Sequence, residues 1–267
     1  MAKKQKSGKL GPKPADQIKI LAEKIIQARR VVAFTGAGIS TESGIPDYRS
    51  QGGLWDKFTP VYFQDFMAER SARIEYWNQR MAMEKGLKIA APNKGHKALA
   101  KLHALGKLSA LITQNIDGLH QAAGIPDEDL IELHGNTRRV RCMSCGQLFP
   151  WDGVEKQILD GDPAPECDCG GYLKPDTVSF GQAMPEAETQ RAAELSAQSD
   201  LFIVVGSTLL VQPASLMPVY AREGGAFLAI LNLSETPMDN ICDLLIRESA
   251  GPVLERVARD VEKGLNN

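Results

Sequence analysis

Four short runs of apolar residues constrain this chain more than anything else in it: Val31-Val32-Ala33-Phe34-Thr35, Leu108-Ser109-Ala110-Leu111-Ile112-Thr113, Leu201-Phe202-Ile203-Val204-Val205 and Phe227-Leu228-Ala229-Ile230-Leu231. A strand with one wet face alternates apolar and polar residues. These runs are nearly continuous, so both of their faces must be covered. Before and between them lie segments of helical spacing, such as Ile18, Leu21, Ile25 and Ile26 between Asp16 and Arg30, a mainly helical stretch over 50–92, and Asn93 to Leu105 ahead of Gly106. The pattern predicts an α/β fold, a parallel sheet with helices on both faces. Each run stops at a small or polar residue: Gly36, Gln114, Gly206 and Asn232. Sheets of this kind bind ligands beyond the carboxyl ends of their strands, so the four ends mark one candidate site.

The first of these ends carries the most chemistry. Gly36-Ala37-Gly38-Ile39-Ser40 is followed by Thr41-Glu42-Ser43-Gly44-Ile45-Pro46-Asp47-Tyr48-Arg49. Glycines let a main chain approach a phosphate, and free N–H groups at such a turn point toward it. A standard dinucleotide fingerprint would place its third glycine at position 41, which is Thr41. Gly44 and Pro46 predict a rigid loop. Arg49 adds a planar fork suited to phosphate.

With 267 residues the chain has room for one large domain and a small insert. Its 31 basic and 33 acidic residues leave a net charge of −2, which argues against a dedicated nucleic-acid or membrane surface. No apolar run approaches the ~20 residues of a membrane span. Residues 1–15 read as a disordered basic tail, with five lysines between Met1 and Pro14 and no apolar stretch of the secretory kind. The expected location is cytoplasmic. Nothing fixes an oligomeric state, and a monomer is compatible with the sequence.

Four of the five cysteines fall together. Cys142-Met143-Ser144-Cys145 is a C-x-x-C hook, and Cys167-Asp168-Cys169 is a tighter C-x-C hook. Two hooks closing on one tetrahedral ion make zinc the expected metal, in a structural role because four protein ligands leave no open position. The region 140–174 is expected to be a small metal-stapled module. Residues 16–139 and 175–267 would then form the large domain. Cys242 reads as a packed core residue.

Taken in order along the chain, these motifs, with Thr113-Gln114-Asn115-Ile116-Asp117-Gly118-Leu119-His120, Leu133-His134-Gly135 and Gly206-Ser207-Thr208, resemble the sirtuin family of NAD-dependent protein deacylases, in its zinc-containing, bacterial-type form. The resemblance runs from about Ile18 to Val261. It implies a Rossmann-like domain with an inserted zinc module, one NAD and one structural zinc, and an acyl-lysine protein substrate in the cleft. It also implies roles. Gly36, Ala37 and Gly38 would line the pyrophosphate, with Asp47, Tyr48 and Arg49 on the following loop, where Arg49 holds phosphate and Tyr48 stands in for a frequent phenylalanine over the nicotinamide–ribose bond. Gln114, Asn115, Ile116 and Asp117 would hold the ribose and nicotinamide side. Gly206, Ser207 and Thr208, with Asn232, Leu233, Ser234 and Ala250, would hold the adenosine half. Val178, Ser179, Phe180 and Gly181 would pair with substrate backbone. His134 would be the general base on a ribose hydroxyl and Asn115 its catalytic companion, the products being free lysine, nicotinamide and O-acyl-ADP-ribose. His134 stands out because it sits in Leu133-His134-Gly135, eight residues before the first cysteine. His96, His103 and His120 have no such support and are expected in helices or behind the site.

The same resemblance bears on the acyl group. Members that prefer acidic chains share a Tyr-x-x-Arg pair and an alanine before a Gly-Gly. The matching residues here are Trp77-Asn78-Gln79-Arg80 and Gln51-Gly52-Gly53. The arginine is present, the tyrosine is not, and Gln51 is expected to narrow the pocket. Deacetylation is therefore the expected main activity. Removal of longer acyl groups and mono-ADP-ribosyl transfer to protein are the alternatives.

Overall fold

The computed structural model describes residues 14–48 and 50–266. Helix α1 (Pro14–Gln27) leads into strand β1 (Val31–Thr35), whose five residues are all buried. The tail expected over 1–15 thus gives way to helix two residues early, since the fixed φ of proline suits a first helical turn. Residues 1–13 lie outside the described residues. Two single 3-10 turns, Ala37–Ile39 and Thr41–Ser43, follow β1. Then come α2 (Leu54–Lys57), α3 (Phe63–Ala68), α4 (Arg70–Ile89), α5 (Lys94–Ala104), β2 (Ala110–Thr113), α6 (Leu119–Ala123) and β3 (Leu130–Glu132). The chain continues through β4 (Gly135–Cys142), β5 (Leu148–Pro150), α7 (Trp151–Leu159) and β6 (Leu173–Thr177). It closes with α8 (Glu186–Ala197), β7 (Leu201–Val205), α9 (Met217–Glu223), β8 (Phe227–Leu231), β9 (Leu244–Ile246) and α10 (Ala250–Leu265).

The large sheet has the order β3-β2-β1-β7-β8-β9, and every neighbouring pair is parallel. This is the doubly wound, Rossmann-like α/β arrangement expected from the four apolar runs. The chain starts at the centre, moves outward through β2 and β3, then returns to the other side of β1. Connections from β1 and β7 therefore leave in opposite directions and open a crevice at their carboxyl ends. Thr35 pairs with Val205, so the two strands end level and Gly36 comes beside Gly206.

Alternate residues feed two cores. Val31, Ala33, Leu111, Ile203, Val205 and Ala229 pack with α1, α5 and α10 on one face. Val32, Phe34, Ile112, Phe202, Val204 and Ile230 pack with α8 and α9 on the other. Phe34 and Phe202 meet at 6.1 Å between ring centroids. Each such side chain, fully buried, contributes about 1.5–3 kcal/mol. Strands β3 and β9 have three residues each and carry too little sequence to show a period.

A second, antiparallel sheet has the order β5-β4-β6 and spans residues 135–177. It holds a third core of Val140, Cys142, Trp151, Val154, Cys167 and Leu173, into which α4 sends Trp77. The small module is therefore broader than its cysteine-rich segment. Its sheet begins at Gly135, and α4 is part of its packing. Cys242 packs beside the second face of the large sheet and donates to the Asp239 carbonyl at 3.3 Å.

Candidate active site and metal centre

The turn after β1 is shaped first by protein packing. A Cβ on Gly36 or Gly38 would lie 2.8 Å from the main chain of Gly206. Gly206 has φ +62°, and a Cβ there would lie 2.4 Å from the Ile39 nitrogen. All three positions are held to glycine because two loops cross with their main chains in contact. The N–H groups of Gly36, Gly38, Ile39 and Ser40 donate to Val205, Gly206, Gly36 and Ala37 carbonyls. The expected row of free N–H donors is therefore largely used within the protein. The glycines make the crevice floor rather than a simple anion nest.

Above that floor lies a cavity of about 1150 Å³. This exceeds the ~300–1,000 Å³ typical of a pocket for one small ligand. Its wall brings together every candidate cofactor and substrate residue that the structure describes: Gly36, Ala37, Gly38, Asp47, Tyr48, Gln114, Asn115, Ile116, Asp117, His134, Val178, Ser179, Phe180, Gly181, Gly206, Ser207, Thr208, Asn232, Leu233, Ser234 and Ala250. Arg49 lies outside the described residues. The strand ends place these groups, since four separate runs of sequence finish at the same sheet edge.

His134 sits between β3 and β4. Its Nδ1 lies 3.0 Å from the Gln114 carbonyl. A carbonyl can only accept, so this bond puts the proton on Nδ1 and leaves Nε2 as the basic nitrogen. Burial lowers the His134 pKa, against the opposing pull of that carbonyl. The imidazole is therefore neutral and basic at neutral pH. The His134 carbonyl accepts from the Val178 N–H at 2.9 Å, which ties the base to the start of the 178–181 segment.

Behind Asn115 and Asp117 is a buried polar network that sequence spacing does not show. Ser40 Oγ donates to Asp117 Oδ2 at 2.7 Å and accepts from Asn115 Nδ2 at 3.2 Å. Asn115 Nδ2 also reaches the Gly36 carbonyl at 3.2 Å, and Asp117 Oδ1 accepts the Leu119 N–H. Gln114 Nε2 donates to Ser207 Oγ at 2.8 Å and so links the β2 and β7 loops. His96 lies 3.4 Å from Ser40 Oγ and meets His120 in a tilted ring contact at 4.9 Å, while His120 Nε2 meets Thr35 Oγ1 at 2.9 Å. Burial pushes the His96 pKa down to about 4 and the His120 pKa well below its ordinary value. Both are neutral props, placed behind the site. His103 is elsewhere, paired with Asp129 at 2.8 Å.

The 178–181 segment follows β6 and closes in a turn, where the Gln182 N–H donates to the Ser179 carbonyl at 3.0 Å and Gly181 has φ +80°. The Ser179 N–H is taken by Gln182 Oε1 at 3.2 Å, and the Phe180 carbonyl accepts the Phe63 N–H at 2.9 Å. Only the remaining main-chain groups are left to pair with another chain. Phe180 lies in a row of rings, 6.0 Å from both Trp55 and Tyr62. Gln51, expected to narrow the pocket, is exposed and is not part of the cavity wall. The turn at Gly52 and Gly53 carries it outward.

The four cysteines form the metal centre. Their sulfurs all lie within 4.8 Å of one another, with Cys142–Cys169 at 3.5 Å and Cys145–Cys167 at 3.8 Å. Four thiolates about 2.3 Å from a tetrahedral zinc are about 3.8 Å apart, so the set fits that ion, C-x-C hook included. A Cβ on Gly171 would lie 2.6 Å from Cys142 Sγ, which is why the second hook is followed by glycine.

Comparison with known proteins agrees with this geometry. The Sir2 family model matches residues 36–213. An NAD-dependent protein deacetylase 1 of Bradyrhizobium diazoefficiens is 50% identical over 88% of this chain and 92% of that protein. An NAD-dependent protein deacetylase of Rhodopseudomonas palustris is 47% identical over 92% of this chain and 97% of its own length. A solved Sir2 with a p53 peptide and NAD+ superposes with a TM-score of 0.81 at 36% identity, covering 93% of this chain and 99% of that one. A Sir2 homologue in complex with NAD superposes with a TM-score of 0.81 at 36% identity, covering 92% of this chain and 94% of that one. On fold, cavity, cysteine cluster and this similarity over nine-tenths of its length, the chain belongs to the Sir2 family.

Proposed function

We propose that this chain is an NAD-dependent protein lysine deacylase, with acetyl-lysine as its main substrate. The observation that carries the reading is His134. Its tautomer is set by the Gln114 carbonyl, and it shares one cavity wall with the glycine loops and the 178–181 segment. The names of the relatives, NAD-dependent protein deacetylases, support the same activity. So do solved family members that hold NAD and peptide.

Bound NAD would supply an electrophilic ribose carbon with nicotinamide as leaving group, and the acyl oxygen of the lysine substrate would attack that carbon. The chain's residues do the rest. The Gly36–Gly38 and Gly206–Thr208 loops, with Asp47, Tyr48, Arg49, Asn232, Leu233, Ser234 and Ala250, hold the dinucleotide. Gln114, Asn115, Ile116 and Asp117 orient its ribose and amide side, braced from behind by Ser40 and His96. His134 Nε2 takes a proton from a ribose hydroxyl, a step for which a neutral imidazole is suited at pH 7. Val178–Gly181 position the substrate backbone. The tetrathiolate holds zinc and staples the 140–174 module to its sheet. The large domain, formed by the chain on either side of the 135–177 sheet, faces it across the cleft. Five unpaired thiols, four of them gathered for metal, suit a reducing compartment such as the cytoplasm.

The test is nicotinamide release from NAD with acetyl-, succinyl- and lipoyl-lysine peptides, with products read by mass. Release that requires an acyl peptide and yields free lysine supports deacylation. ADP-ribose appearing on protein with no deacylated peptide would replace it with ADP-ribosyl transfer.

A further inference from the structure

One wall of the main cavity contains a cation that is already spent. Arg80 and Glu84 lie one turn apart on α4, and both are buried, at 4% and 7% exposure. Arg80 Nη1 lies 2.5 Å from Glu84 Oε2, where the two meet as charges, off the angle of a hydrogen bond. Arg80 Nη2 donates to the Thr137 carbonyl at 3.3 Å, and the guanidinium lies 3.6 Å over the Trp151 ring. Arg80 and Thr137 wall the main cavity along with His134. Both also wall a second cavity of about 270 Å³, together with Glu84, Lys88, Arg138 and Trp151. Lys88, 3.8 Å from Glu84, is held more closely by Glu155 at 2.7 Å.

A buried arginine needs a counter-ion. An acyl chain ending in a carboxylate would be a natural one, and Glu84 occupies that role from within the protein. Such a chain would bring a second anion to an arginine whose charge Glu84 already matches, while Lys88 is held by Glu155. Rejection then comes from unfavourable charge in the wrong complex, a repulsive route to specificity.

We propose that Glu84 sets the acyl preference of this protein: by neutralising Arg80 it excludes acyl groups that end in a carboxylate, succinyl-lysine among them. The proposal rests on the deacylase reading. Glu84 is a positioning residue that acts through Arg80, and the presence of the arginine alone does not predict an acidic-acyl enzyme.

The experiment compares acetyl- and succinyl-lysine peptides of one sequence with the full-length, zinc-loaded protein. Glu84→Gln keeps the shape and removes the charge. It should raise the succinyl-to-acetyl ratio of kcat/KM about tenfold or more, chiefly through a lower KM for the succinyl peptide. Glu84→Asp retains the charge and should keep the ratio low. The charge-free pair Arg80→Gln/Glu84→Gln should return it to the wild-type value, and leaves no lone buried charge if the single variant fails to fold. A wild-type protein that removes succinyl as readily as acetyl would overturn the proposal. So would a folded Glu84→Gln variant that deacetylates with an unchanged ratio. If the single variant does not fold, a changed ratio in the charge-free pair would overturn it as well. Failure of every acyl peptide to release nicotinamide would instead remove the deacylase reading itself.

Discussion

Gly206→Ala tests whether the crevice depends on two main chains in contact. Two costs add at this position. The first is backbone: φ +62° is left-handed, which costs a residue with a Cβ about 1 kcal/mol. The second is contact: the new Cβ would lie 2.4 Å from the Ile39 nitrogen and 2.7 Å from the Gly38 carbonyl carbon, and a backbone cannot swing aside as a flexible side chain can. Forcing an extra carbon into packed structure costs about 1–3 kcal/mol more. Gly106 supplies the control. It has a similar φ of +69°, with nothing within 4 Å of its Cβ position, so Gly106→Ala carries the backbone cost alone. At about 2–4 °C per kcal/mol for a chain of this size, Gly106→Ala should lower Tm by about 2–4 °C and Gly206→Ala by about 4–16 °C. Calorimetry measures both. The stabilising shift on adding NAD should shrink only for Gly206→Ala, because only there do the loops separate. Equal losses of Tm in the two variants would refute the close-contact argument.

His134→Ala should lower kcat/KM for an acetyl-lysine peptide by about 10²–10⁴-fold, the usual contribution of a positioned general base. Because burial lowers the His134 pKa, the acid limb of wild-type kcat/KM should have its midpoint below 6.5; a midpoint at or above 6.5 would contradict the buried, neutral base. His96, held at about 4 by burial, and His120, held well below its ordinary value, are depressed in the folded state. The unfolded chain protonates them first, so their contribution to stability is complete above about pH 6.5 and is lost as pH falls toward 4. The drop in Tm across that window should be shallower in His96→Gln than in the wild type, and a matching slope would count against it. Elemental analysis should find one zinc per chain, and a strong chelator should lower Tm and expose Trp151 to fluorescence quenchers. A zinc-free sample with unchanged Tm and activity would rule out a structural role.

Much of the site was legible because its residues cluster at strand ends, where sequence breaks are sharp. Gly36, Gln114, Gly206 and Asn232 each close an apolar run, and all four wall one cavity. The thiol hooks were legible because zinc geometry demands short spacings. The Ser40–Asp117–His96 network was not, since Ser40, His96 and Asp117 come from three separated segments and no local period links them. Nor was the state of Arg80. Read in the chain it is a free cation four residues from a glutamate. In the fold both are buried, and the pair is neutral.

The sequence alone determined the sheet class, the carboxyl-end crevice and the cysteine cluster, because each depends on local composition or short-range spacing. Tertiary structure decided the rest. It gave the glycines their first duty, which is to let Gly38 and Gly206 touch, and it spread the metal module's sheet across 135–177 with Trp77 of α4 in its core. It also decided which charges remain free to meet a ligand. The physical reason is that burial and charge compensation are properties of neighbours in space, and neighbours in space are what a linear sequence does not order.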